Sequence, residues 1–254
     1  MACGHGRVTR ELARRGAHVL GVDISPALLA NAKAAEVRSP LGITYRWADV
    51  TSPRCLARET FEIIVCNFGL SDIDDLPRAL ATVARVLNPN GLFVFSILHP
   101  CFPGSGDDAP SSWPPDKGYF HQGWWLARNP GFRGKIGSNF RMLSTYLNAL
   151  TGHGLQIDEA AEPRPPAGNA SDHLGAQVPW YLVLRTRKVG AGPGMDAALP
   201  TGMATEKQRE AARRNIKKAQ AAAKEKRTMA DLPRSTRTAL GKQGAKVARQ
   251  KRSS

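Results

Sequence analysis

Apolar and polar positions along the first 188 residues alternate between two periods, one helical and one extended. Arg7–Arg15 reads as a helix and Ala17–Val22 as a strand that ends in Asp23. Pro26 suits a helical first turn, Ser25 is placed to cap it, and the helical pattern runs to about Val37. Ile43–Trp47 alternates as a strand does, with Asp49 just past its end. Phe61–Cys66 is a near-continuous apolar run, as expected of a strand with both faces covered. A helix from about Asp74 to Leu87, a turn at Asn88-Pro89-Asn90-Gly91 and a strand Leu92–Ile97 follow. This rhythm predicts an α/β fold built on a parallel sheet.

The rhythm breaks at residues 100–137, which are rich in Pro, Gly and aromatics: Trp113, Tyr119, Trp124, Trp125 and Phe132. So long a connection in a compact domain is expected to be functional or disordered, and the aromatics favour a substrate lid over disorder. A helix is expected over Ser138–Thr151, closed by Gly152. Strands at Leu155-Gln156-Ile157 and Trp180–Leu184 have no helical pattern between them, so they are expected to pair antiparallel. Residues 189–202 read as a flexible linker. Residues 203–254 are Ala- and Lys/Arg-rich, with helical propensity over Thr205–Thr228 and Ser235–Gln250, broken at Pro233.

Composition changes this picture in one respect. The net charge of +15 is concentrated at one end: 16 of the 36 Lys/Arg and 4 of the 21 Asp/Glu fall in residues 203–254, a net of +12. The first 202 residues carry only +3, so basicity belongs to the tail. Such a tail would attract nucleic acid or another polyanion by counterion release, without base preference because it has no aromatic residue to stack on. The cysteines Cys3, Cys55, Cys66 and Cys101 form no C-x-x-C pair, which argues against a zinc site or disulfide framework and suits a cytoplasmic protein. No run reaches the ~18 apolar residues of a membrane helix.

The candidate chemistry lies at the start. Ala2-Cys3-Gly4-His5-Gly6-Arg7 is a glycine turn that lets backbone pass close to a ligand. Asp23, at the end of the next strand, is placed to take the two hydroxyls of a ribose. The simpler reading is an ordinary strand-to-helix turn with Asp23 as a helix cap. A nicotinamide Rossmann site is a rival, but its third glycine would fall at Thr9.

These residues resemble class I S-adenosylmethionine-dependent methyltransferases, the small-molecule, type 11/12-like members with a seven-stranded Rossmann-like sheet. The resemblance covers about residues 1–188. Besides the glycine turn and Asp23, Ala48-Asp49-Val50 is similar to the segment that reaches adenine. Cys66-Asn67-Phe68-Gly69-Leu70-Ser71 falls at the motif beside the methyl group, and Leu87-Asn88-Pro89-Asn90-Gly91 is similar to the turn before the fifth strand. The resemblance implies S-adenosyl-L-methionine as cofactor, held by Cys3, Gly4, Gly6, Asp23, Ile24, Asp49, Val50, Asn67 and Phe68. It implies transfer to a small-molecule acceptor, with His99 as a candidate general base and Tyr119, His121 and Trp124 as candidate acceptor contacts, and no metal. The strand that should feed the glycine turn would lie before Met1, so the expected sheet lacks its first strand, in the middle. An N-terminally truncated relic, active only through a basic tail that binds nucleic acid, is therefore the alternative function. A nucleic-acid methyltransferase tethered by the tail is a lesser one.

Overall fold

The computed structural model describes residues 1–102, 117–126, 137–164 and 178–189. The expected linker and tail, and lid residues including Trp113 and Phe132, lie outside these. The chain forms the α/β fold anticipated from its periodicity. Helix α1 (Arg7–Arg14) leads to strand β1 (Leu20–Asp23), helix α2 (Pro26–Arg38) to β2 (Thr44–Trp47), and β3 (Phe61–Asn67) through α3 (Leu76–Val86) to β4 (Leu87–Leu98). A short hairpin follows, β5 (Gly123–Trp125) with β6 (Ser138–Phe140). Then come α4 (Leu143–Gly152), β7 (Leu155–Ala161) and β8 (Tyr181–Lys188).

Both helix starts obey local chemistry. Ser25 Oγ accepts the Leu28 amide at 3.3 Å with Pro26 in the first turn. Asp75 Oδ1 accepts the Arg78 amide at 3.0 Å. Strands β1 and β2 pair in parallel, and so do β3 and β4. The last two strands are antiparallel to each other, as expected, and β8 also lies antiparallel to β4. The sheet comes in two pieces, β1-β2 and β3-β4-β8-β7, with no ladder between β1 and β3 among the described residues.

Three expectations are corrected. The helix expected from Ser138 begins at Leu143: Ser138 and Phe140 are buried at period two, and this stretch pairs with Gly123–Trp125. The turn Asn88–Gly91 lies inside β4, where the register jumps from Phe61↔Leu87 to Ile63↔Leu92 and Asn90 takes a positive φ of 62°. The residues therefore make a bulge in a continuing strand. Strand β3 is not covered throughout. Ile63 is 56% exposed, because no strand flanks β3 on the side away from β4 among the described residues.

The main core lies where α3 and α4 pack on the β3-β4-β8-β7 sheet. Leu80, Val83, Phe93, Phe95, Ile97, Leu150 and Leu184 are all nearly inaccessible. Smaller clusters gather Val22, Val50, Cys55 and Ala79, and Leu29, Ala32, Ile43 and Tyr45. Arg10 and Glu36 (2.8 Å) tie α1 to α2, and Glu36 Oε1 also accepts the amides of Leu41 and Ile43 as the chain enters β2. Among the described residues no helix is long and apolar enough to cross a membrane. Phe95 stacks on Phe93 at 5.1 Å in the centre of the core. Replacing it with Ala should lower unfolding free energy by about 3–5 kcal/mol in a denaturant titration, the usual cost of an aromatic-sized cavity.

Candidate functional site

The carboxyl ends of β1, β2, β3 and β4 form one rim, and the glycine turn lies across it. Cys3 N donates to Val22 O at 3.0 Å, and the amino group of Met1 donates to Val65 O at 2.6 Å. Gly4 and Gly6 both take positive φ, 55° and 87°, and Gly6 caps α1. The two glycines serve different ends. A Cβ on Gly6 would collide with the Tyr45 hydroxyl, so close packing requires the hydrogen. A Cβ on Gly4 would meet nothing within 4 Å, so the space before it is open to a ligand.

Asp23 is buried at the centre of this arrangement. Its Oδ2 accepts the Gly4 amide at 2.7 Å and its Oδ1 the Ser25 amide at 2.8 Å. A carboxylate has about four acceptor positions, so two remain for outside donors such as a pair of vicinal hydroxyls. Ile24, next along, is an exposed apolar side chain, and the Trp47 indole N–H holds its carbonyl at 2.9 Å. Asp49 follows β2, and Asp23 sits opposite Trp47, so the two carboxylates share one end of the β1-β2 pair. Thr51 satisfies Asp49 Oδ1 twice, through its amide at 2.9 Å and its hydroxyl at 2.7 Å. That fixes the carboxylate and leaves Oδ2 for a donor such as an exocyclic amine. Val50 is buried beside Val22.

At the end of β3, Phe68 adopts φ 58°, ψ −1°, a strained conformation for a bulky residue. Ser96 holds it, since the Phe68 amide donates to Ser96 O (3.0 Å) and to Oγ (3.2 Å), and Ser96 Oγ–H donates to Asn67 Oδ1 (2.8 Å). The Phe68 ring meets Tyr181 edge-on at 5.2 Å. This leaves the Asn67 carboxamide N–H₂ as a donor at the rim. Strain of this kind gathers where ligands are gripped.

His99 lies just past β4 and is buried, its amide bonded to Trp180 O at 2.8 Å. The Cys101 amide donates to its Nδ1 at 3.2 Å, and its Nε2 lies 2.8 Å from Glu162 Oε1. In the neutral ring the proton is therefore on Nε2, facing the carboxylate. The three lid residues lie in and just before the β5-β6 hairpin. Tyr119 Oη accepts the Leu143 amide at 3.0 Å and its ring packs on Phe140. Trp124 lies on Gly137, and His121 is exposed. Tyr119 also meets Phe120 edge-on, and the His121 amide donates to Gly118 O at 3.2 Å.

Sequence reasoning missed Trp47, Ser96, Tyr181, Glu162 and Arg141. Arg141 is buried, and its guanidinium donates to the carbonyls of Leu70 (3.0 Å), Ile73 (2.5 Å) and Asp74 (3.0 Å), fastening the segment after β3 to the hairpin. Only Trp47 gave a signal, as an aromatic at the end of an alternating strand. Burial favours the protonated form of the thiols at the site. Burial, and secondarily the Asp23 charge, pushes the Cys3 thiol up to about 11, and burial pushes Cys66 up to about 11.

The methyltransferase domain family matches residues 1–95. The ubiquinone biosynthesis O-methyltransferase of Hahella chejuensis is 30% identical over 99 residues, 39% of this chain and 42% of that protein. The enzyme of that name from Bradyrhizobium diazoefficiens is 36% identical over 99 residues, 39% and 38% of the two. The matched stretch thus spans about four-tenths of these curated relatives. Among solved structures, an S-adenosylmethionine-dependent methyltransferase from Mesorhizobium loti is 30% identical, covers 73% of this chain and 88% of that one, and superposes with a TM-score of 0.58.

Two outcomes are expected. Gly4→Ala and Gly6→Ala should each destabilise the fold by about 1–2 kcal/mol from positive φ alone, Gly6→Ala further through the Tyr45 hydroxyl its Cβ would meet, and Gly4→Ala should in addition weaken nucleoside binding, read by thermal melts and calorimetry on both variants. With both raised thiols about three units above pH 8, their thiolate fraction there is on the order of 10⁻³. Iodoacetamide at pH 8 should therefore label exposed Cys101 well before Cys3 or Cys66, as peptide mass mapping would show.

Proposed function

We propose that this chain, which belongs to the S-adenosylmethionine-dependent methyltransferase family, moves the methyl group of that cofactor onto a small-molecule acceptor. The observation that carries this reading is the grouping of Asp23, Asp49 and the open face of Gly4 on one rim. Asp23 would take the ribose hydroxyls, with Cys3 and Gly6 shaping the turn beside it. Ile24 and Val50 would flank the adenine, and Asp49 Oδ2 would accept from its amine. Asn67 and Phe68 would line the methionine end. The cofactor supplies an electrophilic methyl on a sulfonium that carries its own leaving group, so the protein's task is positioning and exclusion of water. Positioning alone can contribute about 7–11 kcal/mol. A general base adds on the order of 10²–10⁴ in rate, or about 3–5 kcal/mol, and is secondary.

His99 supplies that base in this reading. An acceptor hydroxyl would displace the long contact from the Cys101 amide and meet Nδ1, while Glu162 stabilises the charge that develops on the ring. The names of the curated relatives support oxygen as the methylated atom. The family match ends at residue 95, before His99 and the hairpin, so the identity of the acceptor rests with Tyr119, His121, Trp124, Phe68 and Tyr181. The domain is taken as residues 1–188. The thiol pattern supports a cytoplasmic setting, and the basic run 203–254 supports a separable attraction for polyanions such as nucleic acid.

Calorimetry of the full chain with S-adenosylhomocysteine should give saturable binding that Asp23→Ala weakens at least tenfold. An absence of heat at millimolar ligand would refute the reading. Across a panel of phenols, amines and carboxylic acids, His99→Gln should lower kcat by on the order of 10²-fold, with cofactor affinity unchanged.

A further inference from the structure

Asp49 leaves only one of its two oxygens to a ligand. The other is taken by Thr51, whose amide (2.9 Å) and hydroxyl (2.7 Å) both donate to Oδ1, while among the described residues no hydrogen bond engages Oδ2. The turn that carries Thr51 is held in its own right. The Ser52 amide donates to Asp49 O at 3.1 Å and the Cys55 amide to Ser52 O at 3.0 Å. From α3 the Arg85 guanidinium donates to Cys55 O (2.5 Å) and Leu56 O (3.3 Å). Val50 and Cys55 are buried in one cluster with Val22 and Ala79.

A single hydrogen bond leaves a pivot about which a carboxylate can turn. A second donor on the same oxygen removes that freedom, and here both donors belong to one residue. The apolar floor beside it is fixed as well, because the Trp47 indole holds the carbonyl of exposed Ile24 at 2.9 Å. A 6-aminopurine laid on that floor offers an N–H at position 6, which Oδ2 can accept. A 6-oxopurine offers an acceptor at the same position, set against a charged acceptor. Its nearest donor, N1–H, lies one ring atom away. The carboxylate would have to turn to reach it, and Thr51 prevents the turn.

On the functional reading proposed for this rim, we infer that Thr51 sets its base specificity. Thr51 fixes the polarity that residue 49 presents, so the rim takes a 6-amino purine and refuses its 6-oxo counterpart. It acts through Asp49 and is a positioning residue. The same geometry has a sharper consequence. The Thr51 amide can only donate, so in Asp49→Asn the carboxamide must seat its oxygen there and turn its N–H₂ toward the base. That variant prefers the 6-oxo purine.

The test is calorimetry of the full chain with S-adenosylhomocysteine and its 6-oxo analogue, S-inosylhomocysteine. The unsubstituted protein should bind the first about a hundredfold more tightly, the cost of facing one buried acceptor with another. Thr51→Val keeps the amide and loses the hydroxyl. It should narrow the ratio about tenfold, the worth of one hydrogen bond to a charged group, mainly by gaining affinity for the 6-oxo ligand, and Thr51→Ser should restore it. Asp49→Asn should reverse the order of the two ligands. It leaves Thr51 intact, so it decides the matter if Thr51→Val does not fold. A ratio unchanged in Thr51→Val, with both affinities falling together, overturns the proposal and leaves the functional reading standing. So does an Asp49→Asn protein that still prefers the amino base. If neither ligand binds the unsubstituted protein, the functional reading itself falls and this inference with it.

Discussion

One carboxylate organises this molecule. Asp23 receives the amide of Gly4 on one oxygen and that of Ser25 on the other, so it joins the glycine turn, the end of β1 and the start of α2 at a single buried point. Hydrogen bonds to a charged acceptor are about twice as strong as neutral ones, and here both donors are backbone. The turn can hold its positive φ angles because this anchor and the Cys3–Val22 bond fix it from two sides. Everything else on the rim is placed relative to that anchor: Asp49 through the β1-β2 register, Ile24 through Trp47, and α1 through Gly6.

What could be read in the sequence divides by separation along the chain. Gly4, Gly6, Asp23 and Ser25 lie within about twenty residues of one another, and their geometry follows from turn and capping chemistry. Strand and helix order was legible for the same reason. Glu162 meets His99 across 63 positions and Arg141 meets Leu70 across 71. Neither partner lies in a pattern that marks it, because only the folded sheet brings the two together. The misread helix start at Ser138 is a third kind of case. Three residues of period two precede a helix, and pairing with Gly123–Trp125 decides between them.

The divided sheet sets an energetic condition on the fold. Each buried backbone group left without a partner costs roughly 1–3 kcal/mol, and a domain's whole stability is about 5–15 kcal/mol. The core around Phe93 and Phe95 lies on the β4 side of β3 and does not depend on the gap between β1 and β3 except through Val83 of α3, which faces both. The glycine turn does, since it is held between the carboxyl ends of β1 and β3. Rigidity of the rim and closure of the sheet are therefore coupled, while the core and the antiparallel β7-β8 end are not.

Arg141 has a consequence of a different sort. A guanidinium that grips three carbonyls across 67 to 71 positions welds the hairpin to the segment that follows β3. The two cannot drift apart as independent parts. Hairpins transplanted from relatives to change what is accommodated there would have to bring an arginine of the same reach, or the graft would loosen the floor beneath Phe68 together with the roof.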